Sequence, residues 1–126
     1  MSSLRILIVD DEPDIRSLVT MILEGAGHAV IEAGDGKTGL ELLKSESLDV
    51  VLIDLRMPVI DGWEFMRRVR EGNLAEGVRM IGVSAHASPD SIREAKAAGC
   101  DAYVSKPFTM DDLVATVEST ESDKES

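Results

Sequence analysis

The sequence predicts an α/β domain in which five parallel strands form one doubly wound sheet, with helices on both faces in a three-layer sandwich. Two observations support this fold class. Short apolar runs alternate five times with segments whose apolar residues recur every three or four positions. The chain of 126 residues is the size of one domain, and its 44% hydrophobic content is enough for a core. Strands that alternate with helices in this way form parallel sheets joined by right-handed crossovers.

Five segments are predicted as strands because they are short, apolar and bounded by turn residues. The clearest is the third, in which four consecutive apolar residues from Val50 to Ile53 precede Asp54, and a Met-Pro pair ends the run. An apolar run of this length is typical of a strand that is buried on both faces of the sheet. The five predicted strands are residues 4–9, 28–33, 49–54, 78–83 and 101–105.

The helices are predicted from apolar spacing and from residues that favour helix ends. The first begins at Pro13, where the missing N–H costs nothing, and is closed by Gly25 and Gly27. The fourth begins at residues 88–90, a serine cap followed by proline. Ile92 is the one large apolar side chain expected in this fourth helix. We therefore expect the fourth helix to shift more easily than the neighbouring helices. The segment Gly34-Asp35-Gly36 predicts a turn. The other predicted helices are a short one around 40–43 that ends near 45–47, one at about 63–71, and one that contains 110–117.

Composition and charge argue against several classes of protein. Thirteen basic and 24 acidic residues give a net charge of −11, and both nucleic acids and anionic membranes select basic patches instead. The single cysteine, Cys100, excludes an internal disulfide and is typical of a reducing compartment. No apolar stretch approaches the length of a membrane span and no signal peptide is recognisable, so we expect a soluble, cytoplasmic protein. We expect one domain over residues 1–120 and a polar tail at 121–126.

The residues that could carry chemistry stand where the predicted strands end. Asp10 and Asp11 follow the first strand, Asp54 ends the third, Ser84 follows the fourth and Lys106 follows the fifth. In open α/β sheets this edge is where ligands bind. Each residue alone could be a helix cap or a solvated charge, but their joint occurrence at one edge indicates a functional site.

The residue types at this edge indicate phosphoryl chemistry assisted by a metal ion. Three crowded carboxylates repel one another unless one holds a proton or a cation shares the site. Carboxylates without His or Cys favour a hard divalent ion such as Mg²⁺. A lysine and a serine hydroxyl can contact phosphoryl oxygens, and a carboxylate can itself accept the phosphoryl group. The sequence contains neither GxxxxGKS/T nor GxGxxG, so nothing in it indicates a bound nucleotide.

Over nearly its whole length the chain resembles the receiver domains of two-component response regulators, most of all the small stand-alone chemotaxis and sporulation types. The resemblance rests on four motifs in a fixed order, RILIVDDEP, VLIDLRMPVIDG, IGVSAHA and YVSKPF. It implies a flavodoxin-like (βα)5 sandwich with the strand order 2-1-3-4-5. A single-domain regulator and a receiver from a longer protein both fit this sequence.

The resemblance also implies which residues bind and react. Asp54 would accept a phosphoryl group from a histidine kinase or a histidine phosphotransfer protein. Asp10, Asp11 and Asp54, together with the backbone carbonyl of Arg56, would hold the Mg²⁺ that this reaction requires. Position 56 varies in the family, and the Arg56 side chain could either shield the phosphate from water or pair with an acid.

The resemblance further implies a switch that a partner protein reads. Ser84 and Lys106 would contact the phosphoryl oxygens, and Tyr103 would turn inward when the Ser84 hydroxyl moves towards the phosphate. Serine at 84 replaces the commoner threonine, and His86 borders the site. The bond between Lys106 and Pro107 would be cis. A downstream protein would bind the face of the fourth helix, last strand and last helix, and the domain would be a monomer or a weak, phosphorylation-dependent dimer.

Three classes of function fit these residues to different degrees. The leading class is a signalling domain that catalyses only its own phosphorylation and slow dephosphorylation, and so is not an enzyme in the usual sense. The second is a Mg²⁺-dependent phosphatase with an aspartyl intermediate. Its haloacid-dehalogenase type needs DxDx(T/V) after the first strand, where this chain reads DDEPD. The third is an interaction module independent of phosphorylation, which would normally lack an acid, acceptor or lysine position that this chain retains.

Overall fold

The computed structural model describes residues 3–75, 77–85 and 88–118, in which strands and helices alternate along the chain. The strands are β1 (Arg5–Val9), β2 (Ala29–Ala33), β3 (Val50–Asp54), β4 (Arg79–Ser84) and β5 (Ala102–Ser105). The helices are α1 (Pro13–Gly25), α2 (Gly36–Ser45), α3 (Gly62–Gly72), α4 (Pro89–Ala97) and α5 (Met110–Glu118). The expected tail at 121–126 and the predicted site neighbour His86 lie outside the described residues. Within the described ranges, every helix is too short or too polar to cross a lipid bilayer.

All five strands are parallel and lie in the order β2-β1-β3-β4-β5, which confirms the predicted fold class. The pairing register places Val9 of β1 beside Ile53 of β3, and Asp54 beside Val83 of β4. The carboxyl ends of β1, β3 and β4 are therefore level with one another. Asp10, the residue after β1, emerges at the same edge as Asp54.

Two apolar cores lie on opposite faces of the sheet. Strand β3 is buried at every position, and its successive side chains point to opposite faces, with Val51 and Ile53 in one core and Val50 and Leu52 in the other. The first core is completed from α2, α3 and α4 by Leu40, Leu43, Phe65, Met66, Val69 and Ala95. The second is completed from α1 and α5 by Val19, Ile22, Leu23, Leu113 and Val117. This arrangement confirms the three predicted layers.

Capping side chains lie at the starts of helices α2 and α4. Helix α2 begins at Gly36, inside the segment that was predicted as a turn. It begins there because the Asp35 carboxylate accepts the Thr38 backbone N–H at 2.7 Å and caps the helix. The predicted serine cap of α4 is confirmed, since Ser88 Oγ accepts the Ser91 backbone N–H at 3.1 Å. Sequence patterns therefore located each helix, and side-chain caps mark where α2 and α4 start.

Helix α4 has less apolar contact with the sheet than α3 has. Ala95 is the one buried side chain of α4. Helix α3, in contrast, buries Phe65, Met66 and Val69. Hydrophobic stabilisation is roughly proportional to the apolar area that is buried, so an alanine contributes much less than a phenylalanine or a methionine. The predicted weak anchoring of α4 is confirmed by this difference.

Candidate functional site

Three acidic side chains and one lysine meet at the carboxyl edge of the sheet. Carboxylate oxygens of Asp10, Glu12 and Asp54 lie within 4.8 Å of one another. Lys106 Nζ lies 3.6 Å from each of Asp10 Oδ2, Glu12 Oε1 and Asp54 Oδ2. The backbone N–H of Lys106 donates to the carbonyl oxygen of Ser84 at 2.8 Å, which fixes the segment after β5 beside the end of β4. The fold thus brings together residues that follow β1, end β3 and follow β5.

The two aspartates of this cluster are buried, and burial raises the pKa of each carboxyl. Asp10 is 4% exposed and Asp54 is 5% exposed. Burial raises the pKa of both carboxyls, and neighbouring negative charges add to that rise, while backbone hydrogen bonds and Lys106 oppose it. Partial burial of Lys106 works to lower its pKa, but the charges of Asp54, Asp10 and Glu12 outweigh this and the pKa of Lys106 is raised. One ammonium group therefore faces three carboxylates, and the cluster favours a further cation.

The donor types in this cluster fit a hard divalent cation. All three groups offer carboxylate oxygens, which Mg²⁺ prefers, and Mg²⁺ commonly takes its remaining ligands from water and phosphate oxygens. The residues that could hold such an ion from this cluster are Asp10, Glu12 and Asp54. The burial of two of them leaves negative charge that water solvates poorly, which a cation would neutralise.

Asp54 is positioned by a close contact between β3 and the start of α3. The backbone N–H of Arg56 donates to Asp54 Oδ1 at 3.1 Å, while Oδ2 faces Lys106. The Gly62 N–H donates to the Leu55 carbonyl at 3.1 Å. A Cβ on Gly62 would lie 2.6 Å from Leu55 Cα and 2.9 Å from the Asp54 carbonyl oxygen, so a side chain does not fit there. The glycine allows α3 to begin directly beside the residue that ends β3.

The other predicted site residues lie at or near the same edge. Ser84 ends β4 and is 2% exposed. Asp11 is exposed and lies outside the three-carboxylate cluster, although its charge is a lesser cause of the raised pKa of Asp10 and of Asp54. The Arg56 side chain is exposed. Tyr103, on β5, is half-buried against the core that contains α2, α3 and α4.

Glu12 is the member of the cluster that the sequence did not single out. Its one signal is its position directly after Asp10 and Asp11. Whether an acidic side chain just before a helix turns towards the sheet edge or towards solvent depends on its rotamer, which a sequence does not reveal. The peptide bond between Lys106 and Pro107 is cis, as the resemblance implied.

Comparison with known proteins adds sequence evidence to this geometry. A family model described as the response regulator receiver domain matches residues 6–118. Sporulation initiation phosphotransferase F of Bacillus subtilis (strain 168) is 33% identical over 113 residues, which cover 90% of each chain. An uncharacterized transcriptional regulatory protein of the same organism, YrkP, is 38% identical over 113 residues. That match covers 90% of this chain and 47% of YrkP, so this chain spans about half the length of that relative.

The fold comparison agrees with the family match. The structure of the chemotaxis response regulator CheY4 of Vibrio cholerae is similar with a TM-score of 0.89 and 31% sequence identity, covering 94% of this chain and 99% of that chain. The strand order, the acidic cluster at the sheet edge and the family match therefore indicate the same family. The chain belongs to the response regulator receiver domain family and is a receiver domain of the two-component type.

Proposed function

We propose that Asp54 is the residue at which this receiver domain accepts a phosphoryl group, and that a histidine kinase or a histidine phosphotransfer protein donates it. The observation that carries the proposal is the distance of 3.6 Å between Lys106 Nζ and Asp54 Oδ2 at a buried sheet edge. A nucleophilic carboxylate beside a fixed positive charge is the arrangement that phosphoryl transfer to an aspartate requires.

In the proposed reaction, an ionised Asp54 oxygen forms a bond to phosphorus while the bond from phosphorus to the donor nitrogen breaks. Burial supports this role, because a carboxylate with a raised pKa is less well solvated and more basic than an exposed one. Lys106 contacts the transferred oxygens and neutralises their charge, and the Ser84 hydroxyl donates a hydrogen bond to another of them. Phosphoryl transfer depends mainly on such positioning and charge neutralisation.

Mg²⁺ is the proposed cofactor, held by Asp10, Asp54 and Glu12. The resemblance adds Asp11 and the backbone carbonyl of Arg56 to this set. When bound, the ion would supply positive charge to the phosphoryl oxygens, which lowers the repulsion between the phosphoryl group and the acidic cluster. The same cluster supports slow self-catalysed dephosphorylation, so the domain acts as a signalling switch rather than a phosphatase that turns over a separate substrate.

The proposed output is a shift of Ser84, Tyr103 and α4 that changes a binding face formed by α4, β5 and α5. Weak anchoring of α4 supports this output, because a helix with one buried alanine needs less free energy to move than its neighbours. A downstream protein in the cytoplasm would bind this face, and the domain would act as a monomer or a weak dimer that forms on phosphorylation.

Labelling with acetyl phosphate and Mg²⁺ tests the proposal. Wild-type protein should gain the mass of one phosphoryl group in an acid-labile form, and Asp54→Asn should gain none. The matched control is Asp35→Asn, which changes an acidic residue after β2 at the same sheet edge while asparagine keeps the α2 cap. This control should label like the wild type. Labelling of Asp54→Asn at the wild-type level would refute the assignment.

A further inference from the structure

Arg16 of α1 connects the backbone of Asp10 to an acidic side chain of β2. Its Nη1 donates to the Asp10 carbonyl oxygen at 2.7 Å. Its Nε donates to Glu32 Oε1 at 3.3 Å, and Thr20 Oγ1 donates to the other oxygen, Glu32 Oε2, at 2.9 Å. The guanidinium is therefore held at two points, a carbonyl oxygen at the acidic cluster and a carboxylate that α1 itself orients.

The hydrogen bonds of Asp10 leave one of its polar atoms directed into the cluster. The Asp10 N–H donates to the Ala33 carbonyl at 3.1 Å, and its own carbonyl accepts from Arg16. Its Oδ1 accepts the Glu12 N–H at 2.9 Å. The remaining oxygen, Oδ2, faces Lys106 Nζ at 3.6 Å. The backbone at Asp10 and the hydrogen bond from the Glu12 N–H together determine where Oδ2 lies, and Arg16 is one of the groups that hold this backbone.

The turn after β2 leaves space for this guanidinium. A Cβ on Gly34 would lie 3.2 Å from Arg16 Nη1 and 3.7 Å from Arg16 Cζ. The shorter of these distances is tighter than an ordinary van der Waals contact, so an alanine at 34 would displace Nη1 by a few tenths of an ångström. Glycine at this position thus leaves room for the guanidinium as it lies against the Asp10 carbonyl.

We propose that Arg16 is a positioning residue for the cation site, a role that rests on the proposed function. Arg16 acts through the Asp10 backbone, which it holds so that Asp10 Oδ2 points towards the bound cation. The guanidinium donates to the Asp10 carbonyl and to Glu32 from two different nitrogens that are held in one plane, whereas a lysine would have to reach both acceptors with a single nitrogen on a flexible stem. Arginine and lysine are therefore not equivalent at position 16.

Isothermal titration calorimetry with Mg²⁺ on the full chain tests this role. We expect Arg16→Ala to raise the Mg²⁺ dissociation constant about tenfold, the lower end of the effects seen when a group that orients a metal ligand is removed. At saturating Mg²⁺, labelling of Asp54 by acetyl phosphate should return to near the wild-type rate. Arg16→Lys should lie between wild type and Arg16→Ala. The matched control is Arg68→Ala, which removes an arginine from an exposed ion pair with Glu64 and should leave Mg²⁺ affinity unchanged.

A metal-free measurement separates positioning from a general loss of stability. Because the Glu12 N–H donates to Asp10 Oδ1, amide hydrogen exchange at Glu12 should accelerate in Arg16→Ala while exchange in β3 and β4 stays at the wild-type rate. Gly34→Ala keeps every charge and should raise the dissociation constant in the same direction by a smaller factor. If Arg16→Ala does not fold, Arg16→Lys decides the matter, because it keeps the positive charge at position 16 but not the planar pair of donors.

Two results would overturn the proposal. One is a folded Arg16→Ala whose Mg²⁺ dissociation constant and Glu12 exchange rate match those of the wild type. The other, where Arg16→Ala is unfolded, is a folded Arg16→Lys variant whose Mg²⁺ affinity matches that of the wild type. Wild-type protein that neither binds Mg²⁺ nor labels at Asp54 would instead refute the proposed function, so the two failures are distinguishable.

Discussion

Lys106 Nζ lies 3.6 Å from Asp54 Oδ2, and the same ammonium is equally distant from carboxylates of Asp10 and Glu12. One positive charge is thus shared by three acids, two of which are buried. Buried charges are poorly screened by solvent, so the repulsion between the carboxylates persists at ordinary ionic strength. This clustering of negative charge lowers the stability of the fold when no further cation neutralises it.

Asp54→Asn should make the metal-free protein more stable at neutral pH. The variant removes one of three mutually repelling carboxylates, while Lys106 keeps Asp10 and Glu12 as partners. We expect the free energy of unfolding to rise by about 1 kcal/mol at about pH 7. Urea denaturation of both proteins in a chelating buffer measures this difference, and a variant less stable than the wild type would contradict it.

The difference in the free energy of unfolding between Asp54→Asn and the wild type should depend on pH in a defined direction. The pKa of Asp54 is raised above 3.8 in the folded state, so between 3.8 and the raised value the folded state binds more protons than the unfolded state. The Asp54 contribution to wild-type stability therefore falls as pH rises through this window, and asparagine does not titrate. The advantage of Asp54→Asn should shrink as the pH is lowered towards about 4, and added Mg²⁺ should stabilise the wild type more than the variant.

Gly62→Ala should destabilise the fold and slow labelling of Asp54. The added Cβ would meet backbone atoms, Leu55 Cα at 2.6 Å and the Asp54 carbonyl at 2.9 Å, which cannot rotate away as a side chain can. We expect a loss of about 2–3 kcal/mol in the free energy of unfolding, measured by urea denaturation.

Gly25→Ala is the matched control for that substitution. A Cβ at Gly25 would have no neighbour within 4 Å, and this glycine is the last residue of α1. Because alanine is the better helix former, this variant should be neutral or more stable by up to about 1 kcal/mol. Equal stability of the two alanine variants would show that the contact between Gly62 and β3 is not tight.

His28→Ala should destabilise the protein without affecting phosphoryl chemistry. The His28 side chain is 3% exposed. The Leu4 backbone N–H donates to His28 Nδ1 at 3.1 Å, so the proton is on Nε2, which donates to Glu118 Oε2 at 2.8 Å. We expect a loss of about 2 kcal/mol for His28→Ala, because a backbone donor and a carboxylate lose their partner.

Glu118→Gln distinguishes the hydrogen bond of this pair from its charge. Glutamine still accepts from His28 Nε2, so the loss should be only about 0.5 kcal/mol. Both variants should label with acetyl phosphate at the wild-type rate, since His28 precedes β2 at the sheet edge opposite Asp54. A large drop in labelling for either variant would show that the end of α5 is coupled to the acidic cluster.

The bounds of elements that depend on a short run of neighbouring residues could be predicted from the sequence to within one or two residues. Strand β3 was expected over 49–54 and is observed at Val50–Asp54, because a buried strand needs only a short run of apolar, β-branched residues. The start of α2 was missed, because Gly34 and Gly36 beside Asp35 read as a turn. The cap that starts the helix there depends on the position of the Asp35 carboxylate.

The membership of the acidic cluster could be predicted from the sequence only in part. Asp10, Asp54 and Lys106 were predicted from their positions after strands, and the structure brings them together. Glu12 joins them and Asp11 does not, although the two are neighbours in the chain. The direction in which each side chain leaves the start of α1 separates them, and no periodic pattern encodes that direction.

By itself, the sequence determined the alternation of strands and helices and the polar residues at the strand ends, because both depend on neighbours a few positions apart. Only the tertiary structure decided which acids share Lys106, how Arg16 holds the backbone of Asp10, and that His28 pairs with Glu118. These contacts join residues from different elements. Their distances follow from strand order, register and helix packing, which no local pattern specifies.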